Sequence, residues 1–197
     1  MPKPLPKLNL THGQVAWALS LGKPPEQRLL DEMNYLRQLG IPFEKSELGM
    51  GRGNRARYRF DHLIELGVGI AALRRGMKPK DIAGFLIAKR KELRRSYRTA
   101  YLEQPPAALE ADWVKSRGQT MALLSRPRYL RLHDRYADAP GKIEHIRQDE
   151  ITDWRELFGM TERYPGETAR TLFPLTVMVL EWVAWALEAP ETRPGPQ

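Results

Sequence analysis

The stretch that most constrains this chain is Gly49 to Phe60, GMGRGNRARYRF. Glycine stands at 49, 51 and 53, after which Arg55, Arg57 and Arg59 alternate with Ala56, Tyr58 and Phe60. Closely spaced glycines relax the backbone where a chain reverses, and Asn54 tolerates turn geometry. Arginine at every second position beyond the turn has the period of a half-exposed strand. The reading is the tip and return strand of a hairpin whose basic face carries Arg52, Arg55, Arg57 and Arg59. Helical patterns lie on both sides, and a basic hairpin abutting helices is what a winged nucleic-acid-binding domain requires. A solvated loop that collects arginines by composition alone is the competing reading.

These arginines belong to a larger asymmetry. The 197-residue chain has a net charge of +8, yet residues 52–98 carry 14 basic and 4 acidic side chains, whereas residues 99–197 carry 12 basic and 15 acidic. A concentrated positive field gathers polyanions. The segment lacks the Trp/Phe/Leu face of an interfacial helix, so nucleic acid is preferred over a membrane surface as partner. Absence of cysteine excludes disulfides, thiolate metal sites and cysteine nucleophiles. The opening MPKPLPKLNL has no apolar signal-peptide core and is expected to be a flexible arm over 1–10, in a cytoplasmic protein.

Thr11-His12-Gly13-Gln14 has the capping-box pattern and predicts a short helix over 11–21, stopped by Gly22 and Pro24-Pro25. Leu29, Met33, Leu36 and Leu39 form one apolar stripe, so a second helix is expected over 26–39. Its other face carries Gln27, Arg28, Asn34, Arg37 and Gln38, which have the reach for phosphates or base edges, or are simply a wet helix surface. Gly40 closes it and Ile41-Pro42-Phe43 should begin the first hairpin strand. From Asp61, Leu63, Leu66, Ile70 and Leu73 give a narrow helical seam up to Gly76, with Gly67 and Gly69 inside it. Each interior glycine costs roughly 1 kcal/mol against alanine, which makes sense where another helix approaches closely. Pro79 opens a further helix expected to reach Glu103, with Lys89, Arg90, Lys91, Arg94, Arg95 and Arg98 along it; Pro105-Pro106 then marks a domain boundary.

Residues 107–197 are expected to form a mostly helical C-terminal domain serving dimerisation or effector sensing. It would hold a helix over 107–117, an Arg/Tyr-rich stretch from Arg126 to Tyr136, turns at 138–141 and 164–166, and a short helix around Trp154. The apolar run at 171–188 is read as a buried helix, because Glu181 and Pro174 interrupt it and its length is marginal for a membrane span. Trp113, Trp154, Trp182 and Trp185, with Glu181 as polar anchor, are candidates for a small-molecule effector pocket, and core packing accounts for them equally. Catalysis is not expected. The four histidines show no metal-ligand spacing, no serine lies in a nucleophile elbow, and Gly49-x-Gly51-x-Gly53 lacks the strand and helix of a dinucleotide fingerprint. No cofactor or metal is implied.

Taken in order, residues 11–86 resemble the DNA-binding domain of the MerR family of transcription regulators. The first helix carries Val15-Ala16-Trp17-Ala18-Leu19; the second ends in Asn34-Tyr35-Leu36 and Gly40-Ile41 where the family has Arg-Tyr-Tyr and Gly-Leu. The return strand carries Arg57-Tyr58-Arg59, and the ladder from Leu63 through Gly76 to Ile82 follows. The resemblance implies a mainly α fold: a winged helix-turn-helix domain with a small β-hairpin over 11–104, then the helical C-terminal domain. It further implies a homodimer on a palindromic site in double-stranded DNA, with the second helix in the major groove. The DNA-binding residues would be Gln27, Arg28, Asn34, Tyr35 and Arg37 on that helix and Arg52, Asn54, Arg55, Arg57, Tyr58 and Arg59 on the wing. Asn34 stands where the family has arginine, which shifts the expected contact toward the wing. A non-regulatory nucleic-acid protein (architectural, phage or plasmid factor, or RNA binder) using the basic helix 89–98 is the alternative.

Overall fold

A computed structural model describes residues 4–44, 47, 56–136, 143–151 and 170–190. The chain is mainly helical. Helix α1 (His12–Leu19) opens as its sequence dictates: Thr11 Oγ1 accepts the Gln14 amide at 3.2 Å, and Gln14 Oε1 accepts the Thr11 amide at 2.9 Å. The chain leaves it through Leu21 and Gly22, both in the left-handed region (φ 54° and 72°). Helix α2 (Gln27–Gln38) buries Leu29, Met33 and Leu36, and Gly40 (φ 90°) turns the chain away. Helices α3 (Phe60–Arg74) and α4 (Pro79–Leu102) follow, joined at Gly76. Almost every residue of α3 is buried, including Gly67 and Gly69, because α2, α4 and a C-terminal helix all pack on it.

Beyond α4 come two single-turn helices, α5 (Pro106–Glu110) and α6 (Arg117–Met121), where the sequence predicts one helix over 107–117. The Asp112 carboxylate accepts the Lys115 amide at 3.1 Å between them, a local turn that competes with helix continuation. A three-stranded antiparallel sheet, order β2–β1–β3, then departs from the mostly helical expectation. Its strands are β1 (Tyr129–Tyr136), β2 (Ile143–Ile151) and β3 (Arg170–Phe173). Leu130 pairs with Glu150 on one side and Phe173 on the other. Leu130 and Leu132 are buried at alternate positions, the strand period that a reading of this stretch as merely Arg/Tyr-rich overlooks. The expected turns at 138–141 and 164–166 and the helix around Trp154 lie outside the described residues.

The apolar run 171–188 is not one helix. Pro174 divides it into the end of β3 and α7 (Leu175–Leu187), because a residue preceding proline is driven out of helical geometry. Thirteen residues span about 20 Å, against the roughly 30 Å of a bilayer core. No helix among the described residues is long and apolar enough to cross a membrane. Instead α7 lies against α1, α3 and α4, and residues on both sides of Pro105-Pro106 contribute to one apolar core. Its close approach explains the interior glycine: a Cβ built on Gly67 would sit 2.5 Å from the Trp182 ring. At the other end Trp185 covers Gly22, where a Cβ would fall 1.8 Å from the ring.

The N-terminal arm is ordered where it is described. Leu8 and Leu10 are buried while Lys7 and Asn9 are exposed, and Leu10 forms an antiparallel bridge with Tyr58. Leu8 and Leu10, apolar residues two apart, pack this part of the arm against the core, and one backbone bridge joins it to Tyr58. Ile41–Phe43 is not a strand, and among the described residues the bridge partner of Tyr58 is Leu10 of this arm.

Candidate nucleic-acid interface

Phe43, after α2, and Tyr58 and His62, near the start of α3, are joined by aromatic contacts. Phe43, leaving α2, meets the Tyr58 ring at 4.8 Å and the His62 ring at 4.8 Å. The Arg59 amide donates to His62 Nδ1 at 3.3 Å, which makes Nε2 the protonated nitrogen of the neutral ring and its contact with Glu47 Oε1 at 3.1 Å a donated bond. Phe43 before the segment is thus packed on Tyr58 and His62 after it. Burial lowers the His62 pKa, with Arg94 acting in the same direction and Glu47 opposing.

Tyr58 itself is core. It is 1% exposed and its hydroxyl lies 3.0 Å from His12 Nδ1, at the start of α1. Burial pushes the Tyr58 hydroxyl up to about 12, with the charge of Arg37 opposing. Burial lowers the His12 pKa, and Arg37 adds to it. The guanidinium at the C-terminal end of α2 therefore lies near the foot of the return strand. The ring of Tyr58 is given to packing rather than to a ligand, which differs from its expected place among contact residues.

Arg57 and Arg59, flanking Tyr58, are exposed, since side chains alternate faces along a strand. Across the bridge, Leu10 N donates to Tyr58 O and Tyr58 N to Leu10 O, both at 2.9 Å. That hydrogen-bonded pairing sets Asn9 opposite Arg59 on the outward face. Arg52, Asn54 and Arg55 lie outside the described residues.

On α2, Gln27, Arg28, Asn34, Tyr35 and Arg37 are all exposed. The first two are engaged along the helix: Gln27 Nε2 donates to Asp31 at 2.8 Å, and Arg28 Nε to Glu32 at 2.9 Å. Glu32 also accepts Arg74 Nε at 3.3 Å. The first turns of α2 thus carry carboxylates next to their donors, while the last turns present Asn34, Arg37 and Gln38.

The basic helix reads differently in three dimensions. The Glu65 side chain on α3, only 1% exposed, accepts Arg90 Nε at 2.8 Å and Arg94 Nε at 3.0 Å. Each arginine donates a second nitrogen to the loop after α2: Arg90 Nη2 to the Gly40 carbonyl at 2.7 Å, and Arg94 Nη2 to the Pro42 carbonyl at 2.8 Å. Burial pushes the Glu65 carboxyl up while both guanidiniums pull it back, and the net shift is upward. Arg98 pairs with Asp61 in the first turn of α3. Three of the six cations over 89–98 therefore fix α4 to α3, and two of them also to the chain leaving α2. Helical spacing of four brings Arg90, Arg94 and Arg98 to one face, a sequence signal; Glu65, which Arg90 and Arg94 share, shows only as a lone acid in an apolar seam.

The candidate tryptophans do not converge. Trp113 is buried, donates Nε1 to the Ala108 carbonyl at 2.7 Å, and lines a groove of about 270 Å³ with Tyr101, Leu109, Leu180 and Val183. Trp182 packs on Gly67, and Trp185 packs on Gly22 and meets Trp17 edge-on at 6.5 Å. Glu181 is buried, and Trp154 lies outside the described residues. Among the described residues no group of three or more His, Asp or Glu is placed to hold a metal ion. Compared with protein-family models, curated proteins and solved structures, the chain matches none.

Proposed function

We propose that this chain is a DNA-binding transcription regulator. It would act as a homodimer on a palindromic site, with α2 in the major groove and the Arg-rich hairpin as its wing. The observation that carries this reading is the division of labour among the arginines. Arg37, Arg57 and Arg59 are exposed and have no carboxylate partner among the described residues, whereas Arg90, Arg94 and Arg98 are spent on Glu65 and Asp61. Unpaired guanidiniums bind phosphate without first giving up an ion pair, so the foot of the hairpin is where a polyanion gains most.

The order of elements supports the same reading: a Thr-capped helix, a proline turn, a second helix ended by glycine, the basic segment, then two helices. On α2 the carboxylates of Asp31 and Glu32 discourage phosphate near Gln27 and Arg28. Contact is accordingly assigned to Asn34, Arg37 and the wing. Asn34 has the amide that pairs bidentately with adenine. The groove beside Trp113 is where a small-molecule effector would be sought. The alternative, a non-regulatory nucleic-acid protein using α4, is the weaker reading because four of the six cations over 89–98, namely Lys89, Arg90, Arg94 and Arg98, are already paired.

The test is capture of genomic duplex fragments, followed by titration of the recovered sequence with the double variant Arg55→Ala/Arg57→Ala. Binding should weaken at least about tenfold and the salt dependence should flatten. A folded double variant that binds like the parent would remove the wing assignment.

A further inference from the structure

The bridge between Leu10 and Tyr58 has a consequence for residues outside the helix and wing. It joins the N-terminal arm to the chain around Tyr58, so Asn9 lies across from Arg59 on the outward face, with Lys7 and Arg57 further along their segments and also exposed, while Leu8, Leu10 and Tyr58 are buried. Lys7, Arg57 and Arg59 have no carboxylate partner among the described residues; the nearby acids Asp61 and Glu47 are engaged by Arg98 and His62. We infer that the arm and the return strand together form a phosphate-binding ribbon for duplex DNA, in which Lys7 and Asn9 are contact residues. The inference rests on the DNA-binding reading above and extends it to the arm.

The chemistry of the face selects the duplex. It presents two guanidiniums, an ammonium and an amide whose NH2 can donate, a set dominated by donors that suits a row of phosphate oxygens. Recognition of single strands instead uses exposed aromatic rings on which unpaired bases stack. Here Tyr58, and Phe60 at the start of α3, are 1% and 5% exposed, so this face has no such platform.

The test uses the full chain and a captured duplex site, with affinity measured by fluorescence anisotropy across a salt series. Lys7→Ala should weaken binding roughly three- to tenfold and lower the salt slope by about one. Lys7→Arg should restore both. Asn9→Ala removes a neutral donor and should cost roughly two- to tenfold with the slope unchanged. Lys80→Ala, on the outer side of α4, is the control and should change neither. If Arg57→Ala/Arg59→Ala weakens binding while Lys7→Ala and Asn9→Ala leave affinity and slope intact, the arm is no part of the interface and the ribbon is wrong although the wing stands. Absence of duplex binding by the parent protein, or indifference to the arginine pair, would sink the DNA-binding reading itself. Tighter binding to a single strand or RNA of the same sequence would overturn the choice of duplex.

Discussion

Arg94 binds Glu65 through Nε at 3.0 Å and the Pro42 carbonyl through Nη2 at 2.8 Å, so one side chain of α4 fixes both α3 and the chain leaving α2. Removing the acid alone leaves the nearly buried Arg90 without its carboxylate, and Arg94 with only the longer contacts to Glu44 and Glu47 at 3.7 and 3.8 Å. Glu65→Ala is therefore expected to cost about 3–5 kcal/mol in urea unfolding. Replacing the whole cluster, as Glu65→Leu with Arg90→Met and Arg94→Met, should recover most of that loss. A single-variant cost below about 1 kcal/mol, the value of an exposed ion pair, would mean that the cluster does not hold the loop.

Acidification should destabilise the fold through two histidines. His12 and His62 both have pKa values below the ordinary 6.5, with burial as the main cause. Below pH 6.5 the unfolded chain binds more protons at these sites than the folded one, so stability rises with pH in that window. Their contribution is complete above about pH 6.5 and is lost as pH falls through the folded values. Tm should drop between pH 7.5 and 5.5, and a His12→Gln/His62→Gln variant should show a shallower drop. An unchanged slope in the variant would assign the acid sensitivity to other groups.

Gly67→Ala sets two effects against each other. Alanine gains about 0.8–1.0 kcal/mol of helix propensity. Against this, its Cβ would sit 2.5 Å from the Trp182 ring inside a closed core, and overpacking of this kind costs about 1–3 kcal/mol. The clash should win, lowering Tm, and pairing the change with Trp182→Leu should offset it. A Tm raised by Gly67→Ala would show that α7 yields readily.

The exposed arginines at the hairpin foot and the exposed cations of α4 should differ in their effect on duplex binding. Arg57→Ala/Arg59→Ala is expected to weaken binding at least about tenfold and to lower the salt slope by about two. Lys91→Ala/Arg95→Ala removes the same charge from the outer face of α4 and should cost less than about threefold. Equal losses in the two variants would favour the reading in which α4 carries the nucleic acid.

Local chemistry was legible where a few neighbouring residues decide the outcome. Thr11 and Gln14 form their box because both donors and acceptors lie within one turn. Leu29, Met33 and Leu36 are buried because their spacing leaves no other face, and Gly22, Gly40 and Gly76 bend the chain through backbone angles that other residues avoid. Misread stretches were those with two local solutions. Leu130 and Leu132 alternate as in a strand but sit among arginines, and the run around Pro174 has the apolarity of one helix with a break inside it.

The candidate site divides along the same line. The exposure of Arg57 and Arg59 follows from alternation about Tyr58, a period-2 property readable in the chain. Whether an arginine is free is not such a property. It depends on whether a carboxylate from a distant position arrives beside it, as Glu65 reaches Arg90 and Arg94 across 25 and 29 residues. Coulombic and hydrogen-bond energies fall off over a few ångströms, and sequence separation does not record those distances. The composition of residues 52–98 thus established a basic region, while the packing of α3 against α4 selected which of its charges remain available to a ligand.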